Sequence, residues 1–444
     1  MSSIPSRSRL KSILTLALPI IGGMVSQNIL NLIDTAMVGT LGTAALAAVG
    51  IGGLVNFFCQ ASLLGVSSGV QAIAARRLGE KRYSEIAKPL NAGLLVVSIA
   101  GIFLTAVILH LIPIFFPFIN PDPEVVVLGQ GYLKWRVMAI AFVAMNFAFR
   151  GYWNAVNMSK IYMGTLISMH ILNIFLNYVL IFGNFGFPEL GVEGAAIGTS
   201  MSMGFGTCLY FYMAFRLARS NGFLSGLPRI QIVRQLIKVS MPASLQQVFF
   251  SAGLTTLFFI VGQIGTAETA ATHVLINIML VCILPGMGLG MGAASLVGQA
   301  LGRKDPEDAY NWGMDVVKLA LVLISGLGLF LLVFPTDILR IFLVDVDARN
   351  VAIKPLQFTG VFIGLDAAGL VLMNALLGAG DSRRVMFVSI ATQWFFFLPA
   401  AYLAGPVLGY GLLGVWILQG LYRLLQAGFF YQIWRKRSWA SIKL

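Results

Sequence analysis

From Pro19 to Met163 the chain lays down a pattern that it repeats, without a gap, 223 residues later. Pro19 is answered by Pro242, and the run VGTLGTAALAA at Val38–Ala48 by VGQIGTAETAA at Val261–Ala271. Gly65 and Gly69 return as Gly288 and Gly292, Leu78-Gly79-Glu80-Lys81 as Leu301-Gly302-Arg303-Lys304, and Ser159 and Met163 as Ser382 and Met386. A duplication of this length restricts the fold to two like units that share an interface. When such units are embedded in a bilayer, the interface near the midplane is where carriers place their sites. A carrier is therefore the first expectation.

The composition puts the units in a membrane. Apolar residues make up 58% of the 444 and charged ones 11%, against about a quarter charged in soluble domains. Stretches long enough to cross a hydrocarbon core of about 30 Å are expected at 12–37, 46–75, 90–115, 128–152, 160–183 and 191–215 in the first copy. In the second copy they are expected at 237–263, 273–299, 313–335, 351–377, 384–405 and 410–434. The fold class expected is an all-α integral membrane protein of twelve transmembrane helices in two pseudo-symmetric six-helix bundles, residues 1–222 and 223–444. An even number of spans per copy makes the repeat parallel. The first stretch is too long for a secretory signal and is expected to stay as a span.

A net charge of +13 would fit nucleic acid if it were gathered in one patch, but it alternates along the chain. Lys and Arg collect at Arg7, Arg9 and Lys11, at Arg76–Lys88, between the copies at Arg216–Lys238, and after spans eight, ten and twelve. The intervening loops carry Asp122, Glu124, Glu189, Glu193 and Glu268. This positive-inside asymmetry implies a multi-pass protein of the inner (cytoplasmic) membrane with both termini in the cytoplasm. The basic residues meet anionic lipid and no nucleic-acid partner is expected. Cys59, Cys208 and Cys282 fall inside spans with no disulfide or metal spacing. No phosphate-binding G-x-x-x-x-G-K-[ST] occurs, so transport would run on an ion gradient or passively, without a cofactor. His110, His170 and His273 form no catalytic arrangement, which speaks against a membrane-embedded enzyme; two unlike lobes suit a carrier better than a channel.

Acids inside spans are costly and need a reason. Asp34 lies late in span one, Asp366 in mid-span ten, and Asp315 near the start of span nine. Gln27, Asn31 and Asp34 share a helical stripe, as do His170, Asn173 and Asn177 on span five. Span six opens with Gly191-Val192-Glu193-Gly194-Ala195-Ala196 and continues with Thr199 and Ser202. Such residues often only tie helices together. A carboxylate with amide and hydroxyl oxygens, as at Asp34, Asn173 and Thr199, also suits Na⁺. The same acid in apolar surroundings can instead take up a proton. Pro19 removes a backbone bond from the body of span one, giving a fixed kink or a hinge. The second copy is drier: Leu257, Phe396 and Ala400 stand where the first has Asp34, Asn173 and Asn177, leaving Asp366 as its acid, with Gln246 and Gln247 available on span seven.

Taken together, the segments LALPIIGGMVSQNILNLIDTAMVG, GVSSGVQAIAARRLGEK, NILNIFLNYVLIFG and GVEGAAIGTS resemble the multidrug and toxic compound extrusion (MATE) family, over almost the whole chain. The acid in span one, with no obvious glutamate on span seven, looks most like its DinF-like branch. The resemblance implies an antiporter that exports small cationic amphipathic compounds in exchange for H⁺ or Na⁺, and a monomer is expected. It also matches Gln27, Asp34, Tyr132, Asn173, the Ala195 carbonyl and Thr199 to that branch's N-lobe site, and Pro19 to its bending proline; with the polar stripes added, the ion site expected is Asp34, Asn173, Asn177, Ala195 and Thr199, and the surrounding network Gln27, Asn31, Tyr132 and His170. Many relatives have aspartate where this chain has Asn177, which removes one negative charge and tilts the expectation towards H⁺. Asp366 lies in a segment resembling the cation-binding tenth span of the NorM-like branch, so a second ion site is expected there as an option. The alternative within transport is a flippase for a lipid-linked or other amphipathic metabolite, for which Arg150 would be the residue of interest.

Overall fold

A computed structural model describes residues 6–343 and 345–444, and among these the regular structure is helical throughout. The long helices are α1 (Arg7–Gly39), α2 (Thr43–Gly79), α3 (Lys88–Ile119), α4 (Pro123–Met138), α5 (Ile140–Ala155), α6 (Ser159–Phe182) and α7 (Gly191–Leu217). The second copy supplies α8 (Ile230–Gly262), α9 (Thr266–Gly302), α10 (Pro306–Val333), the short α11 (Pro335–Phe342) and α12 (Val346–Ala379). It ends with α13 (Ser382–Ile390), α14 (Leu398–Tyr402) and α15 (Gly411–Lys436). Each of the twelve expected spans lies on this helical structure. Among the described residues nine helical segments are long and apolar enough to cross a bilayer, and the α4–α5 pair, bent by 45°, makes a tenth. The remaining two, α7 and α15, are as long but more polar, with Glu193, Thr199 and Ser200 in one and Gln419, Arg423 and Gln426 in the other.

The compact units are not the two sequence repeats. One is Gly22–Ser244; the other joins Met1–Ile21 to Leu245–Leu444. The sequence boundary at 222/223 therefore marks the duplication, whereas the packing boundary falls inside α1 and inside α8. Glycines on the second helix of each copy explain why. Gly65 and Gly69 on α2 leave room for Ser244 and Ser240 of α8, and the Gly65 amide donates to Ser244 Oγ at 3.2 Å. At the matching positions on α9, Gly288 receives Ile21 and Gly292 receives Leu16 and Ala17 of α1. A Cβ at Gly65, Gly69 or Gly288 would collide with the incoming helix. Each copy thus gives the first half of its opening helix to the unit built mainly by the other copy.

Two irregularities shape the interior. At the α4–α5 break, Thr105 of α3 donates to the Val137 carbonyl at 2.9 Å and Ser200 of α7 to the Trp135 carbonyl at 2.9 Å. Carbonyls released by the bend therefore stay bonded, as membrane burial requires. Between α13 and α15 the helix widens into π turns at Ala391–Phe397 and Leu403–Val407. Pro399 and Pro406 withhold backbone donors here, and the extra residue per turn absorbs the mismatch.

Candidate functional site

The N-terminal stripes converge in the Gly22–Ser244 unit. Gly22 and Gly23 of α1 lie against Met163, Tyr162 and Leu166 of α6, which brings the polar half of α1 onto α6. On α7, small residues recur every fourth position at Gly194, Gly198, Ser202 and Gly206. The first two face Leu180 and Asn177 of α6 and the last faces Met169, each with no space for a side chain. This row lets α6 and α7 approach closely enough for short polar side chains to meet.

What meets is a carboxylate with two amides and a hydroxyl. Asn177 Nδ2 donates to Asp34 Oδ1 at 2.9 Å. Turned so that its nitrogen faces the acid, the Asn173 amide donates to the same oxygen at 3.1 Å, and its own oxygen accepts from the Thr199 amide at 3.2 Å. The opposite orientation would set two oxygens against each other. Thr199 Oγ1 donates to the Ala195 carbonyl at 2.8 Å. Asn177 Oδ1 is buried without a partner, an acceptor facing the cluster's own helices. Asp34, Asn173, Asn177, Ala195 and Thr199 are thus brought together by three helices.

Gln27, Asn31 and His170 form a separate chain: His170 Nε2 lies 3.2 Å from Gln27 Oε1, and Gln27 Nε2 donates to Asn31 Oδ1 at 3.1 Å. The other imidazole nitrogen is buried without a partner. Tyr132 makes no hydrogen bond to the acid. Its ring packs on the apolar cluster of Val38, Ala45, Ile181, Val192 and Ala195, and closes against Gly52. Tyr132 therefore holds the α7 start that carries the Ala195 carbonyl. Ser202 donates to the Gly198 carbonyl along its own helix. Pro19 is buried within an α1 that stays helical through it, two residues before α1 passes from one unit into the other.

The residue that sequence reasoning missed is Arg136. It lies in the last turn of α4, where helix carbonyls favour a cation. Its charge is felt at Asp34, yet the two form no ion pair, and its Nε and Nη1 are buried with no hydrogen-bond partner. A basic residue in the middle of the apolar stretch 128–152 was the available signal. Arg150, in contrast, is engaged: Nε donates to Ser67 Oγ at 3.1 Å and the guanidinium stacks on Phe147.

The two acids singled out in the second copy's spans are paired. Asp366 is buried on α12 with Oδ1 3.7 Å from Arg423 Nη1 of α15. Asp315 is bridged to Arg9 at 2.7 Å. Among the described residues no three His, Cys, Asp or Glu side chains cluster as metal ligands. Cys59 is buried and Cys208 exposed, and all three thiols are free.

The MatE family model matches residues 19–179 and again residues 242–403, one match in each copy. The chain belongs to the MatE family. A MatE relative from Thermotoga maritima, called a probable multidrug resistance protein NorM, is 27% identical over 92% of this chain and 88% of its own length. Another of that name, from Bradyrhizobium diazoefficiens, is 28% identical over 91% and 88%. A solved structure described as the outward-facing conformation of a multidrug resistance MATE family transporter superposes with a TM-score of 0.89. It shares 23% identity and covers 98% of this chain and 97% of that one, which establishes the shared fold. As a MatE protein the chain is a multi-pass membrane transporter for small substrates and not an enzyme.

Proposed function

We propose that this transporter is a proton-driven antiporter of the inner membrane that exports cationic amphipathic drugs and toxic compounds, with both termini in the cytoplasm. The relatives named for multidrug resistance support the substrate class. The observation that carries the coupling is the convergence of Asp34 with Asn173, Asn177 and Thr199 on three glycine-packed helices. Proton loading needs one carboxylate oxygen and forms a covalent bond. Sodium needs several oxygens converging on one point. Here Asp34 is the sole formal negative charge of the cluster, and its Oδ1 already faces two amide donors instead of lying open to a metal ion. These features favour H⁺ over Na⁺.

In this reading a proton entering from outside neutralises Asp34 and releases the amides of Asn173 and Asn177. The helix then bends or repacks near Pro19, and the cargo is expelled. A coupling ion can drive such a change only by binding one conformation more tightly than the other. The membrane potential contributes about 2.3 kcal/mol per charge per 100 mV. The test is efflux of a fluorescent cationic dye in inverted vesicles under separately imposed gradients. Transport with ΔpH in sodium-free buffer is expected; transport that needs a Na⁺ gradient and ignores ΔpH would reverse the ion assignment.

A further inference from the structure

The unit containing Leu245–Leu444 holds a cavity with about 970 Å³ of empty space, counting its open mouth. Its walls are apolar and soft, with Phe250, Met279, Met287, Met373 and Phe397 among them. Into this space come five amides, from Gln246, Gln247, Gln393, Gln419 and Gln426, and one formal charge, Arg423. The π turn at Ala391–Phe397 sets Gln393 and Phe397 in the wall, and Gln393 Nε2 is held by the Phe250 carbonyl at 3.3 Å.

The charge on this wall is basic. Asp366, the partner of Arg423, does not line the cavity; it lines a smaller neighbouring one. Arg423 is fixed from several sides. Nη1 reaches Asp366 Oδ1 at 3.7 Å and Gln426 Oε1 at 3.5 Å, and the guanidinium lies over the rings of Phe250 and Tyr422. Two buried polar atoms of lining residues have no hydrogen-bond partner, Arg423 Nε and Ser389 Oγ. Buried donors left unmade are costly, and a few polar groups converging in an apolar pocket are the usual form of a small-molecule site.

We propose that this cavity is a binding site for an aromatic amphiphile whose polar end is a hydrogen-bond acceptor, a carboxylate or a carbonyl, and that Arg423 makes it discriminate against cations. The apolar body lies among the methionines and phenylalanines. The acceptor takes hydrogen bonds from Arg423 Nε, Ser389 and the glutamine amides. The site is distinct from the Asp34 cluster and widens the cargo beyond the cationic compounds proposed above.

The experiment is equilibrium dialysis of the full chain in lipid nanodiscs, corrected with empty discs, against three probes that share one ring system. They are 2-naphthoate, 2-naphthamide and trimethyl(2-naphthylmethyl)ammonium. The carboxylate and the carboxamide are expected to bind at least tenfold more tightly than the ammonium. Arg423→Gln alone would strand buried Asp366, so the deciding variant is D366N/R423Q, which removes both charges together and should lose the tenfold preference. Ser389→Ala, a mild change, should weaken the two acceptor probes and leave the ammonium unchanged. Equal or tighter binding of the ammonium by the unmodified protein, absence of binding by all three probes, or a preference that survives in a folded D366N/R423Q protein would each overturn the proposal. None of these outcomes bears on Asp34, so the coupling reading stands or falls separately.

Discussion

Asp34 is tied to its neighbours by amide donors that a neutral acid would need far less. Replacing it by Asn removes the proton-binding group and keeps the shape. Asp34→Asn should therefore abolish dye efflux and drug resistance while membrane insertion and thermal stability stay close to normal. Normal resistance in that variant would remove Asp34 from the mechanism. The missing second acid gives a complementary test. Asn177→Asp restores a second carboxylate beside the first, and two like charges in one site raise the demand for a cation. Efflux in this variant should begin to respond to an imposed Na⁺ gradient, where the unmodified protein responds to ΔpH alone. Arg136 could be seen in the sequence as a basic residue within an apolar stretch, but it shares that stretch with Lys134 and Arg150, and only folding shows which of them comes near the acid. Tyr132 shows the converse. The resemblance singled it out, and its ring supports the helix that carries Ala195 while making no hydrogen bond to the acid.

At the scale of helices, the row Gly194, Gly198, Ser202, Gly206 sets the distance between α6 and α7. A methyl group at Gly198 would strike the Asn177 side chain. Gly198→Ala should cost about 1–3 kcal/mol through overpacking and reduce transport further than the stability loss explains, because the displaced amide belongs to Asp34. Thermal unfolding in detergent, read beside efflux, separates the two effects. Pro19 carries the element-scale prediction for motion. Pro19→Ala returns a backbone donor to α1 and stiffens it; insertion should be unaffected and turnover should fall. Unchanged turnover would leave Pro19 as a fixed kink. The small-residue row was not picked out from the sequence, whereas the proline was visible there as one of a pair. Which helix each one faces was not visible, since spacing on one helix names a face and leaves its partner open.

For the whole molecule, the charge asymmetry predicts which loops face which side. In a chain with Cys59, Cys208 and Cys282 replaced by serine, Asp122→Cys should react with an impermeant maleimide in intact cells, and Ser441→Cys only after lysis. Labelling of both in intact cells would contradict the cytoplasmic termini. By itself the sequence determined the duplication, the helical membrane class, the positions of the twelve helical stretches and the polar stripes. All of these are written in composition and in period, which act along one chain direction and survive without knowledge of partners. Tertiary structure decided which copy each half of α1 and α8 packs with. It also decided that Asp366 is held by Arg423, and that Arg136 stands near Asp34. Those outcomes depend on helices that are distant in sequence coming within a few ångströms. In an apolar medium, close packing at glycines and the pairing of buried charges select that arrangement from many that hydropathy permits equally.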